Sequence, residues 1–159
     1  MPVPEVVDVP PASTAIALDG DLTEWKGIPF VRLPSEGRTS RSIRLPWRSE
    51  GLFGAVLAEQ SDVHIDAVLP WNADSLEINV EADARGRIRT STRGLPVKVF
   101  LWPRAETDDS NVGYLRSVGG MPRGGVKAAW RKTPAGYAME FCISARAVRL
   151  LPAILSASS

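Results

Sequence analysis

Short runs of alternating apolar and polar residues, each closed by glycine or proline, recur roughly every ten residues along the chain. That rhythm predicts strands rather than helices, because a period of two places alternate side chains on opposite faces. Residues 13–18 read as a first strand ending in the turn dipeptide Asp19-Gly20. From Ser42 to Arg48, Ile43, Leu45 and Trp47 share one face and Arg44 and Arg48 the other. Pro46 has no N–H to give a ladder, which puts this strand at an edge or bulges it there. After a turn at Glu50-Gly51, the mostly apolar run Leu52 to Glu59 predicts a strand buried on both sides. Ser75 to Glu81 alternates without a fault, turns at 83–86 and returns as Arg87 to Arg93. Val97 to Trp102 is a further strand, and 103–125 a long loop with room for one short strand. Val126 to Lys132 and Tyr137 to Ile143 bracket a turn at 134–136, and Ala145 to Leu151 reads as about two turns of helix. Strands in this number need two layers, so the predicted fold is an all-β, antiparallel two-sheet β-sandwich with one short C-terminal helix. Leu76, Ile78, Val80, Met139, Phe141 and Ile143 are expected to share its core.

Length and composition narrow the classes. The chain has 159 residues, enough for one domain. We divide it into a proline-rich N-terminal segment (1–11), a sandwich domain (12–152) and a serine-rich tail (153–159). Nineteen basic against eighteen acidic residues, a net charge of +1, give no electrostatic footprint for nucleic acid or an anionic membrane. No apolar run reaches the ~20 residues of a transmembrane helix, so no membrane insertion is expected. One cysteine, Cys142, and one histidine, His64, exclude an intramolecular disulfide and a His/Cys zinc centre. Met1-Pro-Val-Pro lacks a signal-peptide pattern, which fits either a cytosolic protein or a domain from a longer chain. No nucleophile elbow, zinc-binding helix or phosphate loop is present. His64 lies between Asp62 and Asp66 in one extended stretch rather than in a convergent triad. A glycosidase needs two carboxylates about 5–9.5 Å apart, and Glu77 with Glu140 is the one pair to consider. The chain therefore reads as non-catalytic.

Four segments together resemble the family 9 carbohydrate-binding modules, within the wider DOMON-like sandwich superfamily. They are Leu18-Asp19-Gly20-Asp21-Leu22-Thr23-Glu24-Trp25, Trp47 to Val56, Pro70-Trp71-Asn72-Ala73-Asp74-Ser75-Leu76-Glu77-Ile78, and Gly136-Tyr137-Ala138-Met139-Glu140-Phe141-Cys142-Ile143-Ser144. Their order and spacing agree with the family over residues 15–150. The resemblance implies a non-catalytic domain that binds the ends of plant-type or other oligosaccharides and polysaccharides. It also implies a role as accessory to a glycoside hydrolase in carbohydrate breakdown, or to a surface protein. The implied location is secreted, cell-surface or periplasmic, as a monomer or part of a longer chain.

Trp71 would be the stacking platform, with Glu77 and Arg87 or Arg89 as polar contacts. Read from the residues alone, Trp71 equally fits a lid on the sandwich end, and Glu77 a cross-strand partner of Arg87 or Arg89. Asp19, Asp21 and Glu24 gather acidic oxygens at a turn, which suits a structural calcium ion or a turn alone. Trp25, Trp47 and Trp130 are expected in the core, Trp25 beside Leu22, while Trp102 is assigned to neither class. The C-terminal part of the family pattern is missing. No tryptophan follows Trp130 to supply the second wall of the sugar clamp, and Ile143-Ser144-Ala145 stands where the family has I-P-W. Binding should therefore be weak. Two other readings stay open: a structural or adhesion domain with no ligand, and a b-type haem domain using Met121, Met139 and His64.

Overall fold

The computed structural model describes residues 8–33, 40–60, 62–66, 68–69, 72–80, 97–103, 112–116 and 125–148. Among these, nine strands form two antiparallel sheets. They are β1 (Val31–Leu33), β2 (Ser40–Arg44), β3 (Trp47–Arg48), β4 (Gly51–Glu59), β5 (Leu76–Val80), β6 (Val97–Pro103), β7 (Val112–Arg116), β8 (Val126–Thr133) and β9 (Gly136–Ser144). The larger sheet runs β1-β2-β4-β9-β8, with β3 continuing beside β4; the smaller runs β5-β6-β7. A short helix, α1 (Ala145–Val148), follows β9, and the Ser144 Oγ accepts from Ala147 N at 3.2 Å at its N-terminus. The sandwich and the C-terminal helix predicted from the pattern are both present.

The core follows from strand parity. On β9, Tyr137, Met139, Phe141 and Ile143 face inward, opposite Ala58, Val56, Gly54 and Leu52 of β4. Trp130 and Val126 of β8 and Ile43 of β2 join them, and Val99 and Leu101 of β6 close the core from the smaller sheet. Leu76 and Ile78 pack against this cluster as expected. Phe141 lies so close over Gly54 that a Cβ there would sit 2.0 Å from its ring. A strand interior with no side chain is thus the seat for the ring.

Part of the opposite face of the larger sheet is also covered, which explains why β4 and β9 are buried along most of their length. Ile16, Leu18, Leu22 and Ile28 pack with Trp25 over Phe53, Ala55 and Cys142. Residues 13–18 are therefore not a strand. Ile16 and Leu18 alternate because they press onto a sheet face, and their backbone is held by side chains instead of a ladder. Glu24 Oε1 accepts from Ala17 N at 3.0 Å, and the Arg48 guanidinium donates to the Thr14 carbonyl.

The strand expected from Ser42 to Arg48 is divided at Leu45-Pro46. Both halves lie along β4, and Phe53 N donates to the Pro46 carbonyl at 3.0 Å across the break. Pro46 therefore bulges the strand without placing it at an edge, since β1 covers the far side of β2. The end of the N-terminal segment docks here too: Trp47 N donates to Pro10 O, and Ala12 N to Trp47 O. Strand β1 was not expected, because three residues after Pro29-Phe30 are too few to show a period. Strand β5 pairs with β6, Glu77 lying opposite Phe100. The proposed return strand 87–93 lies outside the described residues.

Candidate functional site

Two of the motifs meet at one carboxylate. Glu140 points to the outer face of β9 and is fully buried, at 0% exposure, beneath the 19–25 segment. Its Oε2 accepts from Asp19 N at 3.0 Å and Gly20 N at 2.5 Å, and its Oε1 from the Trp25 indole Nε1 at 2.5 Å. The Asp19-Gly20 turn can offer both amides because Gly20 adopts φ 80°, a conformation most side chains avoid. A Cβ at Gly20 would also come within 2.7 Å of the Arg131 Cβ. Burial raises the Glu140 pKa above the usual carboxylate value, partly offset by the Trp25, Gly20 and Asp19 donors.

The acidic oxygens read as either a calcium site or a turn are grouped differently from their order in the sequence. Asp19, Glu24 and Glu140 bring carboxylate oxygens within 4.8 Å of one another. Asp21 instead serves its own turn, accepting from Thr23 N at 3.0 Å and Thr23 Oγ1 at 2.6 Å. Those bonds hold its pKa below the ordinary value. Oxygen donors of this kind suit a hard cation. Every member of the trio, however, already accepts an amide: Asp19 from Asp21 N, Glu24 from Ala17 N, Glu140 from Asp19 and Gly20. The trio thus works as it stands as a hydrogen-bonding clasp between the N-terminal cover and the sheet.

A second polar group lies at the open end of the core. Leu33, Arg41, Val56, Asp74, Ser75, Leu76, Tyr137 and Met139 line a cavity of about 280 Å³. That is the lower end of the range for small-molecule sites. Its floor is apolar and its rim carries a guanidinium, a carboxylate, a hydroxyl and a phenol. Asp74 Oδ2 accepts from Gln60 Nε2 at 2.6 Å and His64 N at 2.7 Å, and Asp74 N donates to His64 O at 3.0 Å. These bonds fix the 72–76 turn against the 60–64 segment. Tyr137 is pushed up to about 12 by burial and by the Asp74 charge, with Arg41 acting the other way. The cavity was not identified from sequence. Asp74 and Tyr137 both lay within motifs of the sequence without a role of their own. Arg41 has the inward parity of Ile43, so a charge on the apolar face of β2 was the available signal.

Of the residues proposed to contact sugar, Glu77 is exposed on the outward face of β5, away from its neighbour Leu76 and from the core. On the same face of β6, Phe100 and Trp102 form a tilted ring pair with centroids 6.3 Å apart. Trp71, Arg87 and Arg89 lie outside the described residues. Glu77 and Glu140 project from opposite outer faces of the sandwich, with two sheets packed ~10 Å apart between them, so they cannot flank one glycosidic bond. Met139 is 1% exposed in the core and His64 is exposed, while Met121 lies outside the described residues. Trp25 and Trp130 are buried as expected, whereas Trp47 and Trp102 are half-buried.

Comparison with solved structures returns the same architecture. A family 9 carbohydrate-binding module from Caldicellulosiruptor kristjanssonii, solved in complex with cellotriose, superposes with a TM-score of 0.67 at 14% identity. It aligns with 86% of this chain, which spans 66% of that protein. The fold is CBM9-like. A structure of a family 9 module from the same organism in complex with glucose gives a TM-score of 0.67 at 15% identity, with the same coverage. No protein-family model matches the sequence. No curated protein matches it either. At this identity the likeness concerns the fold, and no helix among the described residues is long and apolar enough to cross a membrane.

Proposed function

We propose that the chain is a non-catalytic carbohydrate-binding domain that weakly holds the end of a neutral oligosaccharide or polysaccharide. The observation that carries this reading is the CBM9-like fold, shared with solved modules in complex with cellotriose and with glucose. The sugar sits over Trp71, with Glu77 and Arg87 or Arg89 as polar contacts. What supports that placement is the segment next to Trp71 in the chain, which Asp74 holds against Gln60 and His64, and the exposure of Glu77 at its end. Aromatic stacking supplies apolar contact to the sugar face, and the carboxylate and guanidinium groups take its hydroxyls. With a single indole wall, Kd is expected near the millimolar range, ~4 kcal/mol. The domain would act outside the cytoplasm as an accessory to a glycoside hydrolase or a surface protein.

Titration of cello- and xylo-oligosaccharides, followed by tryptophan fluorescence, tests the proposal on wild type and Trp71→Ala. A saturable response lost in Trp71→Ala supports it. Silence toward every neutral saccharide at tens of times the expected Kd would favour a purely structural domain. A response that survives Trp71→Ala would move the site elsewhere.

A further inference from the structure

The outer face of the larger sheet is not fully covered by the N-terminal segment. Beyond that cover, β1, β2 and β4 present a row of side chains set by strand parity. Ser40, Ser42 and Arg44 of β2 lie opposite Glu59, Leu57 and Ala55 of β4, and Arg32 of β1 lies opposite Ser42. They floor an open groove of about 200 Å³ whose rim includes Phe30, an exposed aromatic at 53% accessibility. On the far side of Arg44 and Leu57 a second hollow of about 400 Å³ adds Arg131 and Lys132.

Arg44 stands out on this face. It is half-buried, its Nε is shielded from water, and it has no hydrogen-bond partner among the described residues. A buried donor left without an acceptor costs about 1–3 kcal/mol, so the group calls for an explanation. Arg32, close by on the same face, also has no ion-pair partner among the described residues. Two guanidiniums without a partner among the described residues, beside an exposed ring and two serine hydroxyls, form an asymmetric surface. The anion-accepting end is at Arg32 and Arg44. The hydroxyl-accepting end is at Ser40 and Glu59, about 13 Å from Arg44 and about 7 Å from the level of Arg32 along the strand.

We infer that this groove binds a carboxylate-bearing saccharide, a uronic acid oligomer. Its carboxylate would accept from Arg44 and Arg32, and a sugar face would lie against Phe30. Planar guanidinium groups match a carboxylate in two-point contact, and the apolar face of a pyranose matches an aromatic ring. Glu59, opposite Ser40 at the other end of the groove, accepts a sugar hydroxyl. This inference does not rest on the Trp71 platform.

Isothermal titration with trigalacturonic acid, cellotriose and sodium acetate tests the inference on wild type, Arg44→Met, Arg32→Ala, Phe30→Ala and Trp71→Ala. Trigalacturonic acid should bind wild type and Trp71→Ala alike, weaken as salt is raised, and lose at least tenfold in affinity in Arg44→Met and Arg32→Ala. Phe30→Ala should weaken it severalfold. Arg32 and Phe30 are exposed, so those variants report on the groove without threatening the fold. No binding to wild type, or binding unchanged in both arginine variants, would overturn the inference. Acetate binding as tightly as the trimer would reduce the groove to a simple anion site and overturn it as well. Loss of trigalacturonic acid binding in Trp71→Ala would also overturn it, by moving the acidic sugar to the other platform. The cellotriose arm reads the Trp71 site separately, so each proposal fails on its own result.

Discussion

Removing the bond between Trp25 and Glu140 tests whether one buried carboxylate clasps the N-terminal cover to the sandwich. Trp25→Phe keeps most of the ring in its fully buried site but deletes the Nε1–H that donates to Glu140 at 2.5 Å. A hydrogen bond to a charged group is worth about 1.5–3 kcal/mol, and the smaller ring adds a modest cavity cost. Glu140→Gln keeps the shape but turns one oxygen into an NH₂. Asp19 N, Gly20 N and the Trp25 indole all donate to this side chain, so the amide must set a donor against a donor. The expected loss is about 2–4 kcal/mol. In the double variant the amide can direct its oxygen to the Asp19-Gly20 amides and its NH₂ into the space the indole N–H has left. The double variant should therefore lose less than the sum of the singles, by about 1–3 kcal/mol. Urea unfolding followed by circular dichroism at neutral pH supplies the four stabilities. Losses that add within ~0.5 kcal/mol would refute the coupling.

The same carboxylate sets a pH dependence. Its pKa is raised in the folded state, so the fold binds more protons than the unfolded chain above the ordinary value of 4.5. Stability from this group is then full below that value and falls as pH rises through the folded pKa. A protonated Glu140 still accepts through both oxygens while its O–H turns to the nearby Asp19 or Glu24 carboxylate, whereas the Gln NH₂ can donate to those carboxylates but cannot accept. Wild type minus Glu140→Gln should show the declining slope; a rising difference would contradict the assignment.

Three further perturbations follow from the same geometry. Gly20→Ala places a Cβ against Arg131 at a positive φ and should cost about 1–3 kcal/mol by thermal or urea denaturation; a neutral result would mean the turn relaxes freely. Trp25→Ala should cost about 3–5 kcal/mol, and a loss below ~1 kcal/mol would place the residue outside the packed cover. In a spectrophotometric titration, one of the chain's two tyrosines should ionise near 12, vanish in Tyr137→Phe, and fall when Asp74 is replaced by asparagine; ordinary titration near 10 would remove Tyr137 from its buried rim.

Where the sequence was legible, a short period repeated long enough to be seen. The inward sets on β5 and β9 and the doubly buried β4 all appear as patterns of side-chain type. The rest turned on contacts that sequence neighbours do not reveal. Residues 13–18 alternate like a strand, yet a segment pressed onto a sheet face shows the same alternation without a ladder. The Asp19, Asp21 and Glu24 cluster was visible as neighbours in sequence. What could not be seen there was Glu140, more than a hundred residues away, entering the group while Asp21 turned to Thr23. Arg41, Tyr137 and Arg44 likewise gain their meaning only once strand register and burial place them at an opening.

Backbone amide NMR during a cellotriose titration tests the central proposal most directly, because it reports where a weak ligand sits as well as whether it binds. The account predicts saturable shifts centred on Trp71, the 72–77 segment and the adjoining rim at Arg41 and Tyr137, with a Kd near the millimolar range. Shifts at the Trp25–Glu140 clasp should be absent. No saturable shift, or shifts confined to a surface distant from residues 71–77, would contradict it.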